Sequence, residues 1–382
     1  MNIVPGNLFT VLLTSIAYGG AAVGRVGNLV FFVEGGIPGE SVIAEVTEVK
    51  KGYINAVVRK VNKDNSNRVK PLCGHFGKCG GCQWQHIDYS LQLKLKTQII
   101  IEQLGRIAGL KNIKINETLS SPRPWRYRYS ARLRQEKNCV LGFRERRSHK
   151  VVKIKECPIL AEVIESEIVT NNSTEFFPNA ESTYRKEKIL RTYIGSQKTS
   201  DTLVIKLSGR SLVVSRDSFV QGNLLVLPKL VALVINFAGT VRNRVVIDGY
   251  AGVGVFSVGL AKLGAKVFLI ESNKHACHDA EINLADFSQT TICFGKFEQY
   301  MPIIGNDADI IIVDPPRRGL SRQGIQAIIG STAKVLIYVS CNPSSFSRDS
   351  KLLNSYFRIE SVSPVDMFPQ TAHIELVAKM TR

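Results

Sequence analysis

No apolar run in this 382-residue sequence reaches the length of a membrane span. The best stretch, Leu224 to Ala238, is broken by Pro228 and Lys229, whereas a spanning helix needs about 20 consecutive apolar residues. Internal repeats and low-complexity tracts are missing too, which excludes fibrous architectures. Acidic residues are scarce: 32 Asp and Glu stand against 50 Lys and Arg, a net charge of +18. That imbalance points to a polyanionic partner, either nucleic acid or an anionic membrane surface. Apolar residues are not lacking. At 44% of the chain they can fill ordinary cores, so wholesale disorder is excluded. The length suits two or three domains.

Leu8 to Ala22 is apolar enough to imitate a signal peptide, but no Lys or Arg precedes it and Pro5-Gly6 lies just upstream. It reads as strands of a folded domain in a cytoplasmic protein. Eight cysteines in such a compartment suit metal binding or catalysis better than disulfides.

The charge is uneven. Residues 216–382 carry 17 basic and 14 acidic side chains, and residues 1–215 carry 33 and 18. The polyanion surface is therefore expected in the first 215 residues. Its densest part, Ser121 to Lys155, has 12 basic and 2 acidic residues with Trp125, Tyr127, Tyr129 and Phe143 among them. Basic groups can hold phosphates while aromatic faces stack on unpaired bases. A strand pair with a solvated basic face is the structural alternative, and the two are compatible.

Residues 1–60 read as short strands between glycine turns, a small β-barrel. Residues 61–70 read as a linker, and Tyr89 to Ala108 has helical periodicity. A central α+β region is expected over 68–215. From Val245 onward, apolar strand runs alternate with helices, the pattern of a parallel sheet with crossover helices; this third domain is placed at 216–382.

Val245-Val246-Ile247-Asp248-Gly249-Tyr250-Ala251-Gly252-Val253-Gly254 is a buried strand entering a glycine turn. Gly252 and Gly254 let a ligand approach the backbone, in the turn where such sheets seat a nucleoside cofactor. Glu271, 23 residues after Asp248, ends the next strand and can accept both ribose hydroxyls. Phe256-Ser257 stand where a dinucleotide fingerprint needs its third glycine, which disfavours NAD and leaves a mononucleoside such as S-adenosylmethionine. Asp314-Pro-Pro-Arg317 and Ser340-Cys341-Asn342-Pro343 also follow apolar strands, so both belong at the carboxyl edge of the sheet. Cys341 there is a candidate nucleophile.

Together with Phe219-x-Gln221-x-Asn223 and Asp366-x-Phe-Pro-x-Thr371-x-His373-x-Glu375, these motifs resemble the RNA uracil-C5 methyltransferases that use S-adenosylmethionine. Residues 1–60 resemble the TRAM RNA-binding barrel. The resemblance implies an α/β fold: a Rossmann-like class I methyltransferase domain preceded by an OB-like barrel and an α+β iron–sulfur domain. It implies Cys341 as the nucleophile that adds to C6 and Glu375 as the base that removes the C5 proton, with His373 nearby. Gln221 and Asp314 become contacts to cofactor or target base, Tyr250 packs by the cofactor at Gly252 and Gly254, Glu271 holds the ribose, and Arg317 is structural or phosphate-facing. Ala251 and Val255 depart from residues common in relatives, and Gly295-Lys296-Phe297-Glu298 lacks the usual Asp or Asn. Asp-Pro-Pro-Arg also differs from the motif of amino-group methyltransferases.

Cys73-x5-Cys79-x2-Cys82 lies in a glycine-rich stretch, with Cys157 as a distant fourth thiol. Four thiolates suit zinc or an iron–sulfur cluster, and the resemblance implies [4Fe-4S]. Cys139, Cys277 and Cys293 match no motif. Having both barrel and cluster resembles the 23S ribosomal RNA branch, with transfer RNA as the alternative substrate and a monomer as the expected state. The rival from another class is a non-catalytic RNA-binding or redox-sensing iron–sulfur protein, which would need neither Cys341 nor Glu375.

Overall fold

Alternating burial builds the N-terminal barrel. In β4 (Ser41–Lys50), Val42, Ala44 and Val46 point inward while their neighbours are partly exposed. It pairs with β1 (Leu8–Ile16) and β5 (Tyr53–Lys63), and β2 (Ala22–Val26) and β3 (Leu29–Glu34) complete a closed barrel in the order β1-β2-β3-β5-β4. Closure removes the sheet edges. The computed structural model describes residues 3–135, 141–173, 187–192, 194, 196–198, 200, 202–207 and 209–382. Cys139 and part of the basic Ser121–Lys155 stretch lie outside them.

The stretch read as a linker is pinned to the barrel. Arg68 donates from Nε and Nη2 to the fully buried Glu40, at 2.6 and 2.7 Å, and from Nη2 to the Gly35 carbonyl. Helix α1 (Tyr89–Gln103) follows and ends in a π turn, Leu104–Ala108. Its apolar face joins one core with the barrel and the C-terminal sheet.

The central region has a four-stranded sheet, β8-β7-β6-β9, from β6 (Ser130–Gln135), β7 (Leu141–Arg144), β8 (Val151–Lys153) and β9 (Glu187–Arg191). Helix α2 (Glu162–Ser173) covers it, and Tyr127, Leu133, Ile154, Ile164 and Cys157 share its core. The hairpin of β10 (Leu203–Leu207) and β11 (Arg210–Val214) was expected with this region. Instead its apolar side chains join the core of the C-terminal domain, and Val213 N and Ser215 N donate to Asn283 and Asp279. An isolated hairpin is marginal in water, so it takes its partner from the larger core.

The C-terminal domain is a seven-stranded sheet, β14-β13-β12-β15-β16-β18-β17. Five strands run parallel: β12 (Val245–Gly249), β13 (Lys266–Glu271), β14 (Thr290–Phe294), β15 (Ile310–Val313) and β16 (Val335–Ser340). β17 (Arg358–Val365) and β18 (Glu375–Thr381) close it as an antiparallel pair. Helices α3 (Leu227–Ala238), α4 (Val255–Lys262) and α5 (Lys274–Leu284) cover one face. Helices α6 (Phe297–Ile304), α7 (Arg322–Gly330) and α8 (Pro343–Leu353) join the barrel and α1 on the other. Such two-face burial explains strands that read as unbroken apolar runs, such as Ile310-Ile311-Ile312-Val313.

Candidate active site

The carboxyl ends of β12, β15 and β16 meet at one edge, because Gly249 aligns with Val313 and Val313 with Tyr338. β18 runs the other way, with Ser340 opposite Leu376. The start of β18 therefore lies beside the end of β16, and Glu375 comes next to Cys341. Asp314 follows β15 on the same edge. Gln221 donates from Nε2 to Asp314 Oδ2 at 3.3 Å.

Cys341 sits between strand and helix. Asn342 caps α8 by accepting from Ser344 N at 3.0 Å, and Pro343 takes the first helical turn. Asn342 also donates to the Arg317 carbonyl at 2.8 Å, joining the two strand-end motifs. Burial, with Glu375 and Asp314 nearby, pushes the Cys341 thiol up to about 11, while Arg317 pulls it down. Burial and Asp314 hold Glu375 well above the usual carboxylate range. Burial raises Asp314 to about 7 against the opposing hydrogen bond from Gln221. Burial outweighs the nearby Arg317, so Cys341 and Glu375 favour their protonated forms. His373 is different: burial, then Arg317, depress it to about 4. It is neutral at pH 7 and the weaker base.

The segment carrying His373 and Glu375 is clamped by distant parts of the chain. The Gln370 carbonyl accepts from Gln83 N and Trp84 N, and Gln92 exchanges hydrogen bonds with its backbone and side chain. Tyr127 donates to the Pro369 carbonyl at 2.9 Å. Lys96, wholly buried, donates to the equally buried Asp366 at 2.6 Å.

The glycine turn adjoins this edge. Gly252 and Gly254 have φ of +56° and +84°. A Cβ on Gly252 would meet nothing nearer than the Phe219 carbonyl at 3.9 Å, so its backbone borders open space. Glu271 accepts from Gly252 N, Ser272 N and Asn273 N, so the carboxylate also braces the turn. Tyr250 has φ +61°, stacks on Phe297 with centroids 5.2 Å apart, and donates to Glu298 at 3.4 Å. Asp248 is fully buried; Ser257 donates to its Oδ2 at 2.6 Å, and its Oδ1 has no partner. Burial raises Asp248 to about 7. Of the Phe219–Asn223 motif, Gln221 reaches the site, whereas buried Asn223 instead donates to Ser121. Phe219 is 70% exposed beside Gly252.

Cys73, Cys79, Cys82 and Cys157 line one small cavity, although they come from separate segments. No group of three or more His, Cys, Asp or Glu among the described residues is gathered tightly enough to hold a metal ion. Burial lifts Cys82 to about 11 and Cys157 to about 12. Cys277 and Cys293 are buried elsewhere, as core.

Comparison with known proteins agrees with this architecture. Residues 5–58 match the TRAM domain, and residues 302–382 match the tRNA (uracil-5-)-methyltransferase family. An uncharacterised RNA methyltransferase of Bacillus cereus is 30% identical over 99% of this chain and 97% of its own length. One from Caldanaerobacter subterraneus is 31% identical over 99% and 98%. The crystal structure of a Pyrococcus abyssi tRNA (uracil-54, C5)-methyltransferase with S-adenosyl-L-homocysteine is similar in fold, with TM-score 0.73 and 24% identity over 98% of this chain and 100% of that one. With its barrel, its sheet and its strand-end motifs, the chain belongs to the RNA (uracil-5-)-methyltransferase family.

Proposed function

We propose that the protein methylates C5 of a uridine in 23S ribosomal RNA through a covalent adduct on Cys341. The observation that carries this reading is the meeting of Cys341, Asp314 and Glu375 at one sheet edge. C5 of uracil is too weak a nucleophile to take a methyl group unaided. Cys341 first loses its thiol proton to solvent; its Sγ then bonds to C6, and the C5–C6 electron pair moves toward O4 as an enolate, which makes C5 nucleophilic. After C5 has gained its methyl group, Glu375 takes the C5 proton. The electrons of that bond restore C5=C6 and expel Cys341 as thiolate. Once its own proton has been released, Glu375 is the stronger acceptor at this step, because the surroundings that raise it make its carboxylate more basic than His373. Gln221 and Asp314, hydrogen-bonded to each other, suit recognition of the uracil edge.

S-adenosylmethionine supplies the methyl group on a cationic sulfur. Gly252, Gly254 and Tyr250 would hold it, and Glu271 would take the ribose. A positive charge at this edge favours loss of the protons that Cys341 and its carboxylate neighbours retain.

The resemblance to the family favours a [4Fe-4S] cluster at the cysteine cavity. The four thiols line one small cavity, the juxtaposition that supports a shared group there. Cys73, Cys79, Cys82 and Cys157 would hold it, and its contribution there would be structural. The RNA surface would include a groove of about 900 Å³ lined by Arg123, Arg126, Tyr129 and Lys198 together with Glu162 and Glu167.

The test is nucleoside mass spectrometry of purified 23S RNA and transfer RNA from cells with and without the gene. Loss of 5-methyluridine from 23S RNA is expected. Loss from transfer RNA alone would replace the substrate, and no loss from either would remove the reading.

A further inference from the structure

The barrel reaches the catalytic edge through the turn between β1 and β2. Ala17 N donates to the Ala21 carbonyl at 2.8 Å and Gly20 N to the Ala17 carbonyl at 2.9 Å. Gly19 and Gly20, with φ of +98° and +93°, permit this tight path. The turn is pressed onto the segment that carries His373 and Glu375. A Cβ on Gly20 would fall 2.6 Å from Ala372 Cβ and 2.8 Å from Trp84 Nε1. Trp84, fully buried, donates to the Gly20 carbonyl at 3.1 Å. The barrel turn is thus fixed against the active-site segment rather than tethered near it.

Tyr18 stands in this turn. It is half-buried, and its ring packs on the core shared by barrel and sheet. Its pKa is raised by burial, lowered by Arg317 and raised by Cys341, so its hydroxyl lies within the electrostatic reach of both. Arg317 is exposed, and Asn342 anchors its carbonyl beside Cys341.

We propose that Tyr18 is an RNA-positioning residue, whose hydroxyl joins the Arg317 guanidinium in holding a phosphate of the target uridine at the mouth of the Cys341 pocket. The inference rests on the reading of Cys341 as the site of reaction on RNA. A base must leave its stack to reach a recessed thiol, and its flanking phosphate then needs fixed donors. Backbone contacts set register, whereas base contacts specify. A phenol and a guanidinium form an anion-binding pair, while Gln221 and Asp314 remain for the base. No motif marks Tyr18, because its nearness to Cys341 comes from the docking of two distant segments.

The test measures binding of a short uridine-containing RNA to the full-length protein with S-adenosyl-L-homocysteine present. Tyr18→Phe deletes the donor and keeps the ring. It should weaken RNA binding roughly tenfold, the scale of a hydrogen bond to a charged group, with cofactor affinity and melting temperature unchanged. In turnover, KM for RNA should rise while kcat at saturating RNA stays within about twofold. Tyr18→Phe and Arg317→Gln should be non-additive if they hold one phosphate. Unchanged RNA affinity in Tyr18→Phe, strict additivity, or a fall in kcat alone would overturn the proposal. Because binding is read without turnover, a wild-type protein that binds RNA but makes no 5-methyluridine would remove the functional reading and leave this result interpretable.

Discussion

Cys341 combines two opposing influences: a helix start that favours the thiolate, and burial beside two carboxylates that favours the thiol. The second wins, with the group pushed to about 11. In the free protein, alkylation of Cys341 by iodoacetamide should therefore quicken about tenfold per pH unit through the neutral range. Asp314→Asn removes a negative neighbour, so the Cys341 midpoint should fall and alkylation at fixed pH should speed up. Peptide mapping by mass spectrometry reads both, and an unchanged rate in Asp314→Asn would contradict the assigned coupling. Glu375→Gln should leave adduct formation possible and slow its resolution by about 10²–10⁴-fold. Enzyme–RNA adduct should then build up on denaturing gels with ordinary RNA. Rapid turnover without adduct would shift the base role to another group. The meeting of Cys341 and Glu375 was legible in the sequence because each stands in a motif at one end of an apolar strand. Tyr18 was not, since nothing in its neighbourhood distinguishes it from a barrel surface residue.

Helices and strands were legible where burial is simple. The parallel strands appear as apolar runs, and α1 shows its period, with Asp88 capping it. Docking was less legible: β10 and β11 read as part of the central region, yet pack on α5. The connection between cysteine loop and active site was also hidden. Gln83 and Trp84, next after Cys82, hold the Gln370 carbonyl. Serine at Cys82 should therefore lose bound iron, weaken RNA binding, and also lower kcat by loosening the segment before Glu375. Iron analysis after anaerobic purification, with kinetics, checks this; zinc at one per chain would replace the cluster. The buried Lys96–Asp366 pair anchors the same segment. Lys96→Met leaves Asp366 buried and unpaired and should cost about 3–5 kcal/mol of stability, read by denaturant unfolding.

At the scale of the molecule, three regions converge on one edge. The barrel supplies the turn at Tyr18, the central region supplies Tyr127, and the sheet supplies Cys341, Asp314 and Glu375. The net charge of +18 predicted a polyanion partner but not how its path would meet the catalytic edge, which depends on contacts between residues far apart in sequence. With six or so phosphate contacts, RNA affinity should fall about a thousandfold between about 50 and about 200 mM salt, as titration would show. Covalent trapping tests the central claim most directly. Incubating the protein and S-adenosylmethionine with RNA that carries 5-fluorouridine at the target should give a stable adduct, because fluorine cannot leave C5 as a proton does. Peptide mapping should place the RNA and its new methyl group on the peptide containing Cys341, and Cys341→Ala should give no adduct while binding the cofactor normally. Methylated RNA without any adduct, or an adduct on another residue, would contradict the account.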